Sequence, residues 1–158
     1  MAAHKQLTYL REGSAVVCEG AIDERADLSK LIEHARDGVL VLDLAGITFI
    51  NSLGVRAWCQ LQQLARSIDV RLELRRVSER LVHQLNIVPA ARAASTVTSF
   101  FGPYVCDRCG IDQHVLIDVA ADGRELARGL PPAKTCQDCR APLVFGELPE
   151  LYFAFLLG

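Results

Sequence analysis

Two cysteine pairs constrain this chain more than any other feature. Cys106-Asp107-Arg108-Cys109 and Cys136-Gln137-Asp138-Cys139 stand 26 residues apart. A Cys-x-x-Cys turn presents two sulfurs on one side of a tight knuckle. Two knuckles supply the four thiolates that zinc takes tetrahedrally. Iron is chemically allowed in the same site. Gly110 follows the first pair, where a knuckle often needs positive φ. Disulfides would suit a secreted chain, but no basic-then-apolar leader opens this one. A redox Cys-x-x-Cys normally occurs once, at the start of a helix beside a βαβ unit, and two pairs flanking a hairpin do not fit that pattern. Four thiolates close the shell and leave no position for water. The expectation is therefore a structural zinc on Cys106, Cys109, Cys136 and Cys139, without catalysis.

The pairs also divide the chain. Seven of the ten aromatic residues lie from Phe100 onward. Residues 1–100 carry 12 Lys+Arg against 11 Asp+Glu, whereas residues 101–158 carry 5 against 8. We place a boundary between residues 1–100 and 101–158. Between the pairs, His114 to Ala120, Asp122-Gly123 and Arg124 to Ala127 read as strand, turn, strand. This pattern resembles a zinc ribbon over roughly residues 104–155, which implies a small all-β domain. A segment of about 50 residues buries too little apolar surface to fold securely, and a metal supplies the missing stabilisation. Phosphate binding needs clustered Lys and Arg, so the acidic balance disfavours nucleic acid as a partner.

The first hundred residues alternate strand and helix signals. Leu7–Leu10 and Ala15–Cys18 flank a hairpin turn at Glu12-Gly13-Ser14. Asp27 opens a helix with Leu28, Leu31, Ile32 and Ala35 on one face, and Gly38 ends it. Val39 to Leu44 is a continuous apolar run with one acid, as in a strand covered on both faces, and Ala45 to Ile50 reads as a short connection. A second helix runs from Leu53 to Ser67. Val70–Leu74 is a half-exposed strand, and Ser78 opens a third helix stopped by Asn86 and Pro89. Thr96–Phe101 reads as one more strand.

The stretch Val41-Leu-Asp-Leu-Ala-Gly-Ile-Thr-Phe-Ile-Asn-Ser-Leu-Gly-Val55 resembles the signature of the STAS family, which includes the bacterial anti-sigma factor antagonists. The family pattern is an apolar strand ending in Asp-Leu, a link to Phe-(Ile/Met)-Asp-Ser-x-Gly, then a helix. Leu72 to Ile87 and Gly20 to Asp23 extend the likeness to about residues 7–100. The resemblance implies an α/β fold with a mixed sheet and helices on one face. It also implies a non-enzymatic signalling role, with Asn51, Ser52, Leu53 and Gly54 at the partner-binding surface. The family's phosphorylatable serine falls at Ser52, and an anti-sigma factor or serine kinase is the implied partner. A phosphate adds about −1.5 to −2 charge, which a helix N-terminus tolerates, so the switch would act at the interface and leave the fold intact. The residue before the serine is usually Asp and here is Asn51. The plain alternative is that Ser52 merely caps the helix.

Hydrophobic residues make up 51% and charged residues 23%, a globular composition. The longest stretch free of Asp, Glu, Lys and Arg runs from Ala93 to Cys106, too short for a membrane span. A cytoplasmic location is the default. Cys18 and Cys59 read as core residues, and Arg71, Arg75, Arg76 and Arg80 as a solvated basic face. The terminal run Leu151–Leu157 reads as a packed strand, with a dimer interface as the alternative. The combined reading is a non-enzymatic regulatory module. Its alternatives are a constitutive scaffold and a nucleic-acid-associated zinc protein.

Overall fold

The computed structural model describes residues 3–157. Strand β1 (Thr8–Glu12) turns through Gly13 and Ser14 into antiparallel β2 (Ala15–Ile22). The hairpin lies where the turn residues placed it, with Gly13 at φ +61°. Strand β3 (Val39–Ile50) runs parallel to β2, β4 (Arg71–Arg75) parallel to β3, and β5 (Ser95–Val97) parallel to β4. The sheet order is β1-β2-β3-β4-β5, a mixed sheet as the family resemblance implies.

Strand β3 is longer than its apolar run. The segment expected as a connection, Ala45 to Ile50, stays in the sheet because β2 continues beside it, with Glu19 opposite Gly46 and Ile22 opposite Ile50. Two register shifts along the β2–β3 pairing absorb the extra residues, which lie in β3. Leu40, Leu42 and Leu44 point into the core, while Val39, Val41 and Asp43 are half-buried on the other face. That alternation is what a sheet covered on one face requires. Helix α1 (Ser52–Ser67) covers the buried face with Trp58, Leu61 and Ala65, and helix α2 (Glu79–Ile87) with Leu81, Val82 and Leu85. The indole N–H of Trp58 donates to the Ala91 carbonyl at 2.7 Å, which satisfies its polar edge inside the core.

The helix expected after Asp27 is a 3-10 helix, Ser29–His34. Asp27 lies one residue before the N-cap, Leu28, and accepts from the Ser29 N–H and hydroxyl without capping the helix. The segment ends six residues later, before the left-handed pair Asp37 and Gly38, and so has little room for an α-helix.

The strand expected over Thr96–Phe101 is divided. Thr98 bonds the Leu74 carbonyl through its N–H and hydroxyl, and beyond it β6 (Ser99–Val105) enters a second sheet. There β7 (Asp112–Asp118) and β8 (Val144–Phe145) flank β6, both antiparallel. Two short helices accompany this sheet: α3 (Gly123–Ala127), where a second hairpin strand was expected, and α4 (Pro149–Tyr152). The terminal apolar run is helical rather than extended, with a 3-10 turn at Ala154–Leu156. Pro149 starts that helix, and the aromatics it brings inward need helical spacing to reach one face.

The hydrophobic core is continuous across residue 100. Phe100, Tyr104, Ile117, Tyr152, Phe153 and Phe155 join the cluster that holds Leu81, Val82 and Leu85. The ring of Phe100 lies 5.1 Å from Phe155 and 6.0 Å from Phe153, centroid to centroid. Asn86 of α2 donates its amide to the Tyr152 carbonyl at 2.9 Å and accepts from the Phe155 N–H at 2.7 Å. Among the described residues no helix is long and apolar enough to cross a membrane.

Candidate functional site

Strand β3 delivers its last residues to the start of α1, and Asn51 makes the junction. Its Oδ1 accepts from the Gly54 N–H at 2.8 Å, which caps the helix, and its backbone is extended (φ −109°, ψ −178°). The capping role that a plain reading would give Ser52 therefore belongs to Asn51. Ser52 is the first helical residue and is exposed. Leu53 beside it is 52% exposed although strongly apolar.

The other half of the Asn51 amide binds a neighbouring loop. Its Nδ2 donates to Glu24 Oε2 at 2.9 Å. The Glu24 carboxyl is held below its ordinary range, first by its own backbone N–H and then by Asn51. Next to it, Asp23 is buried and grips Arg25 through Nε and a 2.6 Å contact from Nη2, which lowers the Asp23 pKa. Gly54 lets α1 approach this loop. A Cβ there would lie 1.7 Å from the Ile22 carbonyl oxygen. An aspartate in place of Asn51 could cap the helix equally well, but it would set a carboxylate against Glu24. The amide allows both groups to stand at this junction.

The four cysteines of the C-terminal part converge. Their sulfurs all lie within 4.8 Å of one another, with Cys106–Cys139 at 3.4 Å and Cys109–Cys136 at 3.7 Å. Zinc–sulfur bonds of about 2.3 Å in a tetrahedron put sulfurs about 3.8 Å apart, so the donor set fits that ion. The two knuckles are built alike. In the first, the Gly110 N–H donates to the Cys106 carbonyl at 2.7 Å and the Cys106 N–H to Ile111 at 3.1 Å. In the second, Arg140 donates to Cys136 at 3.1 Å and Cys136 to Ala141 at 2.8 Å. Gly110 and Arg140 occupy the same place, at φ +73° and +63°. Glycine adopts that angle freely and arginine does so at some cost, so the second knuckle is the more strained.

Cys106 and Cys136 are buried, Cys109 is exposed and Cys139 is half-buried. The Cys139 N–H aimed at the Cys136 sulfur is the main cause of its thiol pKa falling to about 6, and the Gln113 amide adds to it from 3.1 Å. The Cys109 N–H lowers Cys106 in the same manner. Cys109 and Cys139 shift the other way, pushed up by the neighbouring sulfurs, so two of the four thiols favour the thiolate before any cation is bound.

The family model for the STAS domain matches residues 6–97, more than half of the chain. The chain belongs to the STAS family. Searches of curated proteins and of solved structures found no match. In this STAS protein, Asn51, Ser52, Leu53 and Gly54 share one turn at the start of α1, and the four cysteines share one centre at the far end of the sequence. Cys18 is a core residue, its thiol pushed up to about 12 by burial. The basic run does not act as one face: Arg75 pairs with Glu73, Arg76 with Asp43, and Arg80 lies apart on α2. Asp43 also accepts from the Ala45 N–H, so its carboxylate is used structurally.

Three contributors escaped sequence reasoning. Glu24 meets Asn51 across 27 positions, Gln113 meets Cys136 across 23, and Asn86 meets Phe155 across 69. None sits in a spaced motif. A sequence signal existed only for Asn51, as a departure from the STAS pattern.

Proposed function

We propose that this STAS protein is a non-enzymatic bacterial regulatory module that binds a partner protein, of anti-sigma factor or serine-kinase type, through the start of α1. Phosphorylation of Ser52 controls the affinity. The observation that carries this reading is the position of Ser52, exposed at the first turn of α1 beside exposed Leu53, with the capping duty taken by Asn51. A hydroxyl with no capping role can accept a phosphate without unmaking the helix start. The added charge then falls at a helix N-terminus, which favours it, and opposes a partner by charge and desolvation.

The four thiolates hold a structural zinc ion, which ties the two knuckles together. When bound, the ion supplies cross-linking and no open coordination position. The C-terminal part enlarges the surface that the module offers. The module works in the cytoplasm, where phosphate would come from a kinase's ATP.

The test is a pull-down from the source cell with wild type, Ser52→Ala and Ser52→Asp, followed by mixing the captured partner with each variant and ATP. Ser52→Asp should lose the partner that the other two retain, and Ser52→Ala should take up no phosphate. Identical partner sets from all three reject the switch and leave a constitutive scaffold.

A further inference from the structure

A second site lies where the STAS sheet meets the C-terminal sheet. A cleft of about 620 Å³ is lined by Ala45, Ile47 and Thr48 of β3, by Ser78, Glu79, Arg80 and His83 at the start of α2, and by Phe101 and His114 of the second sheet. That volume is within the range of small-molecule sites.

The polar groups in this cleft point to one kind of ligand. Helix α2 is nine residues long and begins in the cleft. Ser78 precedes it in the extended conformation that suits a cap (φ −66°, ψ 154°), yet its hydroxyl makes no cap bond. Ser78 is 8% exposed, and its Oγ is a buried side-chain oxygen with no hydrogen-bond partner among the described residues. Such a group destabilises the fold unless something binds it. The Ser78 carbonyl already accepts from Leu81 and Val82, whereas the N–H groups of Glu79 and Arg80 donate to nothing among the described residues. One hydroxyl and two amides thus stand free at the positive end of a helix.

Charge agrees with this. Glu79 is the acid that could repel an anion, and it is tied to His114 Nδ1 at 2.8 Å. Arg80 is exposed, lines the cleft, and has no ion-pair partner among the described residues. The remaining wall combines apolar Ala45, Ile47 and Phe101 with the polar side chains of Thr48 and His83.

We propose that this cleft binds a small organic phosphate. The phosphate sits on the Ser78 hydroxyl, the Glu79 and Arg80 amides and the Arg80 guanidinium, and the organic body lies against Ile47 and Phe101. The site requires both parts of the chain, since Phe101 and His114 close what β3 and α2 begin. It stands apart from Ser52 and does not depend on that serine being phosphorylated.

The test titrates the full, metal-loaded chain with phenyl phosphate, inorganic phosphate and phenol, followed by amide NMR. Phenyl phosphate should shift the Glu79, Arg80 and His114 amides saturably and bind more tightly than inorganic phosphate, with phenol weakest. Arg80→Ala, an exposed change that leaves the fold intact, should weaken binding about tenfold or more, as loss of a charge-assisted bond does. Ser78→Ala should weaken it several-fold. Absence of saturable shifts at millimolar concentration overturns the proposal. So does equal binding by Arg80→Ala, or a response spread over Arg71 and Arg75 as well.

Discussion

Asn51 and Glu24 are joined by a 2.9 Å hydrogen bond from amide to carboxylate, and the same Asn51 caps α1 through its oxygen. One side chain therefore couples the β2–β3 connection to the start of the helix that carries Ser52. Asn51→Asp keeps the cap and sets two carboxylates in contact. It should lower stability near neutral pH, and Glu24→Gln should restore it. Asn51→Ala loses the cap and should cost about 1 kcal/mol, typical for such a loss. Urea denaturation of the single and double variants checks the coupling.

The acids of that connection set a pH dependence. The folded pKa values of Asp23 and Glu24 are depressed, the first by Arg25 and the second by its own N–H and Asn51. A depressed carboxylate contributes stability that is fully present above its unfolded pKa, near 4, and is lost as pH falls through the folded value. Stability should therefore fall below about pH 4, and Asp23→Asn should flatten that fall. Urea midpoints measured from pH 6 to the acid range, at constant ionic strength, report the difference.

Gly54 admits no side chain. Its missing Cβ would lie 1.7 Å from the Ile22 oxygen, and backbone cannot yield as a flexible side chain does. Gly54→Ala must push α1 away from β2. The expected loss is about 3 kcal/mol or more, at the upper end of overpacking effects. Thermal unfolding should show the drop, while Arg56→Ala, exposed on the same helix, should change little.

The metal centre should prove structural. The purified chain should carry one zinc per molecule by elemental analysis, and Cys136→Ser should lower that content. Because Phe100 and Phe155 share a core with α2, removing the ion should expose more than the knuckles. A chelator should increase proteolysis after residue 100 and lower the melting temperature. Unchanged protease resistance after full metal removal would contradict the structural role.

Asn86 fastens the chain's last turn to α2 by two hydrogen bonds. Asn86→Ala leaves the Tyr152 carbonyl and the Phe155 N–H without partners, at a cost of about 1–3 kcal/mol. Hydrogen exchange should quicken first at residues 152–156, with the β1–β3 amides unaffected.

Much of this protein was legible in its residues. The Asp-Leu strand end and the Asn-Ser-x-Gly link are local, so they placed β3, the start of α1 and the STAS fold. The cysteine spacing singled out the four sulfurs that converge, because a knuckle is built within five residues. Lengths and exact element types were less legible. The run from Ala45 to Ile50 looks like a loop by composition, but β2 offers it a paired edge. Arg124–Ala127 and the end of the chain became helical because helical turns bring Leu126, Tyr152 and Phe155 inward.

The sequence by itself determined the local chemistry: four thiolates, a serine at a helix start, a glycine where no Cβ fits. Tertiary structure decided which distant groups those residues meet. Glu24 beside Asn51, Gln113 beside Cys136, and a cleft closed by Phe101 and His114 over the start of α2 each join residues more than 20 positions apart. Such contacts follow from strand order and core packing, and no short-range pattern encodes them. The two cysteine pairs suggested a separate, metal-dependent unit. The aromatics of that unit pack in a common core with the STAS helices.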